Sequence, residues 1–210
     1  MVSTDPARVE MSPQRTATFP ATEQTTARTD ARPARALAAL WWRRVGLTAV
    51  LALAAALNLV GLSGEGYGNT YYAAAVKSML TSWHNFFYAS FDANGFVSVD
   101  KPALGLWVQA ISARIFGFSG VSLLAPQALA GVASVGILYL LIRQVWGPAA
   151  GLVAALALAV TPISVVTDRN NTIDSLLILF LLGAAWAVTA AARRGSLRGR
   201  FITPRGAVSL

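Results

Sequence analysis

Two short stretches concentrate the side chains able to do chemistry. Asp100-Lys101-Pro102 sets a carboxylate and an ammonium before a proline that suits the first turn of a helix. Thr167-Asp168-Arg169-Asn170-Asn171-Thr172-Ile173-Asp174 holds three ionisable groups and two amides in eight positions. A cation beside carboxylates at a helix mouth can cradle an anionic lipid phosphate, and a carboxylate can take the proton of an attacking hydroxyl. Single members also have plainer roles: Asp174 or Asn171 would cap a following helix, and Lys101 would snorkel along a membrane. Capping uses one residue, however, and these stretches hold several. Glu65 and Asn69 fall just past an apolar run, where an acid or amide either satisfies loose backbone groups or faces a substrate. Carboxylates facing a phosphate suit a divalent cation, Mg²⁺ or Mn²⁺, while the charge of Lys101 serves the same end without metal. The lone His84, beside Trp83, reads as an interface anchor. Cysteine is absent, which excludes disulfides, thiolate metal sites and cysteine nucleophiles.

The elements that must position these groups are membrane helices. The chain is 55% apolar and 12% charged, a balance that points to the bilayer rather than to a soluble core. Four apolar runs, 45–62, 121–142, 148–166 and 175–192, each approach the roughly 20 residues needed to cross a hydrocarbon core. Between the first two lies a long loop, 63–120, too apolar to be disordered and too long to be a plain connector. Within it, apolar residues at helical spacing after Pro102 predict an interfacial helix to Phe116, and 70–83 forms a second candidate. Residues 1–40, rich in Thr, Ala, Pro and Arg, read as a disordered tail, and Trp41-Trp42-Arg43-Arg44 as an interface anchor. The first run is longer than a signal peptide's core and its leader too long, which argues against cleavage.

A net charge of +8 does not imply nucleic acid, because the arginines flank apolar runs and form no continuous basic face. They instead fix orientation. Seven arginines precede the first run, Arg143 separates the second from the third, and Arg193, Arg194, Arg198, Arg200 and Arg205 follow the fourth, so both termini are expected in the cytoplasm and 63–120 outside. Asn58 and Gln127 read as interhelical hydrogen-bonding residues. Gly147-Pro148 reads as a tight turn and helix start.

Three stretches taken together are similar to a known family. Gly68-Asn69-Thr70-Tyr71-Tyr72, Val99-Asp100-Lys101-Pro102-Ala103-Leu104-Gly105 and Asp168-Arg169-Asn170-Asn171-Thr172-Ile173-Asp174, following a first crossing, resemble the N-terminal part of bacterial polyprenyl-phosphate-sugar glycosyltransferases. These are the enzymes related to protein O-mannosyltransferases and the aminoarabinose transferase of lipid A (family 39-like). The resemblance implies an all-α polytopic GT-C module of four transmembrane and two interfacial helices. It implies a sugar moved from a polyprenyl phosphate to an acceptor glycan, lipid or protein at the outer face of the plasma membrane, by inverting displacement. Carried over, Glu65, Asp100 and Asp174 are the catalytic candidates. Lys101 is expected to hold the donor phosphate, with Arg169 as a further candidate, and Asn69, Tyr72, Asp168, Asn170 and Asn171 are candidates to line the substrate. One departure is local: Gly68-Asn69 stands where the family carries an acidic pair, leaving Asp100, Asp174 or Glu65 as base. The other is overall. Family members continue with further crossings, so the chain, with its basic tail 193–210, is expected to be shortened and to lack activity alone. The rival reading is a non-catalytic lipid-phosphate-binding subunit or a degenerate remnant. A transporter ranks below both, since the crossings carry no ionisable groups.

Overall fold

The computed structural model describes residues 31–202, with side chains from 41 to 195. Eight α-helices follow one another: α1 (Ala31–Leu59), α2 (Thr70–Met79), α3 (Trp83–Phe87), α4 (Ala103–Phe116), α5 (Gly120–Trp146), α6 (Pro148–Val160), α7 (Pro162–Asp168) and α8 (Asp174–Ile202). Among the described residues the only β-pairing is an isolated bridge between Ser90 and Ser98. The protein is thus an all-α polytopic membrane protein. Three helices, spanning Trp41–Glu65 with its terminal 3₁₀ turn, Gly120–Trp146 and Asp174–Gly195, are long and apolar enough to cross a bilayer.

The run at 148–166, expected as one straight crossing, is a broken one. Its two halves, α6 and α7, bend by 63° at Thr161-Pro162. Proline lacks an amide donor and clashes with the preceding turn, so it restarts a helix rather than continuing one. With the bent pair counted as one span, the crossings number four. Of the expected tail 1–40, residues 1–30 lie outside the described part, while from Ala31 the chain is already helical. Most residues of this lead-in are alanine, arginine and leucine, all strong helix formers, and they extend α1 upstream of the apolar run. At the other end α8 runs on to Ile202, and the rest of the basic tail lies outside the description.

Local signals explain the helix starts. Ser119 and Ser122 form a reciprocal capping box on α5. Asn69 and Ser82 accept from the backbone amides of Tyr71 and Asn85 to open α2 and α3. The helix expected at 70–83 is split between these two, because Ser82 begins a new one.

Of three apolar clusters two are larger. One joins α2 to α4 and the start of α5 through Val76, Met79, Leu106, Ala110 and Leu123. The other joins α1, α5 and α6 through Ala54, Val135, Tyr139, Ala155 and Ala159. Small residues allow close approach between helices: a Cβ on Gly46 would stand 3.1 Å from Leu152, and one on Gly151 3.0 Å from Tyr139.

The long loop between the first two crossings is a folded layer rather than a strap. Asn85, 2% exposed, donates from its amide to Thr81 Oγ1 and Ala93 O at 3.0 Å each, tying α3 to the turn after Phe91. In that turn Asp92 accepts from the amides of Val97 at 2.7 Å and Asn94 at 3.0 Å. The Val97 bond above all holds its carboxyl below the usual carboxylate range. The contribution of this turn is therefore present at neutral pH and lost as pH falls through that lowered value.

Candidate functional site

The candidate residues divide into a buried clasp and an exposed mouth. The clasp begins at Gly68, whose φ of +64° belongs to the left-handed region. A Cβ there would lie 3.0 Å from Asn171 Oδ1 and 3.1 Å from Asn170 Oδ1, so both the backbone angle and the crowding favour glycine. This close approach lets the Asn69 amide donate to Asn171 Oδ1 at 2.6 Å and to Asn170 Oδ1 at 3.1 Å. Asn171 Nδ2 donates back to Asn69 O at 3.0 Å. The Asn171 side chain, fully buried, thus pairs with a backbone unit as a neighbouring strand would.

The clasp extends on both sides. Gln109 of α4, fully buried, donates from Nε2 to Asn171 O at 2.9 Å. Arg169 donates from Nε and Nη2 to Glu65 Oε1 at 3.0 and 2.7 Å, and from Nη1 to Leu57 O and Val60 O at 2.9 and 2.8 Å. The last two acceptors are carbonyls at the C-terminal end of α1, where a cation is favoured by the helix dipole. One guanidinium therefore fixes the end of α1, the 3₁₀ turn Leu62–Glu65 and the loop before α8. Four of its five donors point at protein acceptors, and one Glu65 oxygen is taken by the ion pair. Asn69, Asn170 and Asn171, expected to line a substrate, are likewise hydrogen-bonded to one another.

Two further expectations change on burial. Tyr72 is a member of the apolar core with Val76 and Met79, its ring edge-on to Tyr71 at 5.3 Å. Asp168, expected in an open loop, is the last residue of α7 and turns into the bundle against Gly131, where any side chain would collide with its carboxylate. There it lines a small cavity with Asn58, Ser134 and Ser164. Neither Gly131 nor Gln109 was singled out by pattern. Gly131 is one glycine in an alanine-rich run, and its only signal would be the distant aspartate it accommodates.

The mouth consists of Asp100, Lys101 and Asp174. All three are exposed, and among the described residues none takes part in an ion pair. Two contacts bring their elements together. Gly105 in the first turn of α4 lies against Ile173, leaving a Cβ only 2.5 Å from its Cγ2, and Gln109 one turn later holds Asn171. The N-terminus of α4, preceded by Asp100-Lys101, therefore converges with the N-terminus of α8, which opens on Asp174. Each of these helix N-termini carries partial positive charge, and Lys101 adds a full one ahead of α4. Such a mouth can hold a phosphate and keep a carboxylate beside it. Among the described residues no three of His, Cys, Asp or Glu gather in metal-binding proximity.

Comparison with known proteins extends this geometry. Residues 100–203 match the family model of dolichyl-phosphate-mannose-protein mannosyltransferase. Two proteins of Bacillus subtilis (strain 168), YkcB and YycA, both provisionally named as mannosyltransferases, are 49% and 48% identical to this chain over 151 residues. The matches cover 72% of this chain but 21% and 22% of those proteins, so the chain spans about a fifth of the length of the curated relatives it matches. No solved structure matches it. The chain thus carries a segment of the dolichyl-phosphate-mannose-protein mannosyltransferase family domain, beginning at Asp100 and running through α8.

Proposed function

We propose that this chain forms the donor-binding and catalytic front of a membrane glycosyltransferase that moves a sugar from a polyprenyl phosphate to an acceptor hydroxyl at the outer face of the plasma membrane. The observation that carries this reading is the contact of the first turn of α4 with Ile173 at the start of α8, which makes neighbours of the helix starts bearing Asp100-Lys101 and Asp174, all three exposed and, among the described residues, without an ion pair.

In the proposed reaction Lys101 and the two helix N-termini hold the donor phosphate. The acceptor oxygen forms a bond to the anomeric carbon as the bond from that carbon to the phosphate oxygen breaks, its electron pair leaving with the phosphate. Asp174 takes the hydroxyl proton. Charge growing on the leaving phosphate is matched by the ammonium already in place, so stabilisation rises towards the transition state. Asp100 neighbours Lys101 and orients it. Glu65 was a third candidate for the base, but one of its oxygens is engaged by Arg169. Arg169 in turn becomes a positioning residue rather than a phosphate ligand. No step is assigned to Mg²⁺ or Mn²⁺.

Arginine asymmetry supports an outward-facing mouth, with Arg43, Arg44, Arg143, Arg193 and Arg194 at the opposite ends of the helices. Asn94→Cys and Gly195→Cys, both at exposed positions, test the orientation in this cysteine-free chain. An impermeant maleimide applied to intact cells should label the first and spare the second, and the reverse pattern would place the mouth in the cytoplasm. The donor class is tested in a polypeptide carrying this chain in the full length of its relatives. Labelled sugar should pass to acceptor from a polyprenyl-phosphate sugar, and transfer from a nucleotide sugar in the absence of lipid donor would overturn the reading.

A further inference from the structure

At the end of the bundle away from the mouth, Arg43 and Arg44 of α1 and Arg143 of α5 converge on one cavity of about 440 Å³, completed by Leu47, Tyr139, Gln144 and Pro148. Helix packing builds this cavity. Gly46 seats Leu152 against α1, and Gly151 lets α6 close on Tyr139 and on the Arg143 side chain, each within 3.1 Å of a Cβ placed there. The Arg143 guanidinium sits 5.4 Å from the centroid of the buried Tyr139 ring, which holds it on the cavity wall.

Three arginines thus line one space, and no described acid pairs with them. The acids between 41 and 195 are Glu65, Asp92, Asp100, Asp168 and Asp174, all towards the other end of the bundle, and the one described ion pair is Arg169 with Glu65. Orientation in the membrane requires arginines at this end but not their convergence on a cavity. Like charges brought together cost energy unless an anion joins them.

The surroundings fix the depth of that anion. Trp41 and Trp42, next to Arg43 on α1, and Trp146, at the end of α5, are 71%, 65% and 70% exposed. Exposed tryptophans at helix ends mark the headgroup level of a bilayer. Leu47 continues the wall towards the apolar stretch of α1, a surface suited to the start of an acyl chain. We propose that this cavity binds the headgroup of an anionic phospholipid from the leaflet opposite the mouth, and that a lipid with two phosphates, a diphosphatidylglycerol, matches the three guanidiniums best.

The test uses the full chain purified in neutral detergent and titrated with diphosphatidylglycerol, phosphatidylcholine or inorganic pyrophosphate. Retained lipid is read by native mass spectrometry and protection by the thermal midpoint. The wild type should retain diphosphatidylglycerol at least tenfold better than phosphatidylcholine. The Arg43→Gln/Arg44→Gln/Arg143→Gln variant should lose that preference, while Arg193→Gln/Arg194→Gln, which removes exposed charge from α8, should keep it. Equal loss in both variants would reduce the effect to general charge and overturn the site. Protection by pyrophosphate equal to that by the lipid would assign the cavity to a soluble anion instead. Should the triple variant fail to fold, Arg143→Gln alone must lower retention severalfold, and unchanged retention overturns the proposal.

Discussion

Replacing Asp174 by asparagine is expected to lower the rate of sugar transfer by about 10²- to 10⁴-fold, the usual worth of general-base assistance, with donor affinity nearly unchanged. The amide keeps the size of the carboxylate and its capacity to cap α8 but cannot take a proton at neutral pH. A purely capping role therefore predicts little change in turnover, since asparagine caps as well as aspartate. Glu65→Gln separates the two acids further. Its carboxylate is partly exposed and ion-paired, with side-chain exposures of 19% for Arg169 and 44% for Glu65, and exposed pairs contribute only about 0–1 kcal/mol. Glu65→Gln should cost a small amount of stability and leave most turnover. Single-turnover rates in the full-length context of the relatives provide the readout. If Glu65→Gln abolishes transfer while Asp174→Asn retains it, the base is Glu65 and the clasp reading of that residue fails.

The second large effect concerns stability. Asn171→Ala removes two hydrogen bonds to the backbone of Asn69 and opens a void in a fully buried position. The loss is tempered locally, because Asn170 Oδ1 still accepts from the Asn69 amide and the Ala73 amide still donates to Asn69 O. With about 0.5–1.5 kcal/mol for each of two net hydrogen bonds, a loss of roughly 1–3 kcal/mol is expected. It should appear as a lowered thermal midpoint in detergent. Asn171→Asp keeps the acceptor but buries a carboxylate with one oxygen against Asn69 O, so it should cost at least as much as alanine. A variant as stable as the wild type would mean that the clasp does not hold the α8 start in place.

Much of this organisation was legible in the sequence, for local reasons. Apolar runs of crossing length, Pro148 at a helix start and the amphipathic spacing after Pro102 each depend on neighbours a few residues apart. Pro162 was equally readable but was absorbed into a hydrophobic run, and the bend at Thr161-Pro162 followed. What sequence could not display was the pairing of residues a hundred positions apart. Nothing near Asn69 announces that its backbone will meet Asn171, or near Arg169 that its partners are Glu65 and the end of α1. Candidate polar residues therefore looked alike in the sequence, and only the fold sorts them into those spent on the clasp and those left at the mouth. Gly68-Asn69 illustrates the point: where an acidic pair was expected by resemblance, this chain has the one residue that tolerates the turn and an amide that caps α2.

The most direct measurement of the central claim, that the mouth between α4 and α8 holds a lipid phosphate, is a titration of polyprenyl phosphate against wild type and Lys101→Gln. A hydrogen bond to a charged group is worth about 1.5–3 kcal/mol, so the dissociation constant should rise roughly 10- to 150-fold. Arg169→Gln, which disrupts only the clasp, should shift stability more than affinity. Equal affinity of Lys101→Gln and wild type would contradict the account and remove the phosphate from this mouth.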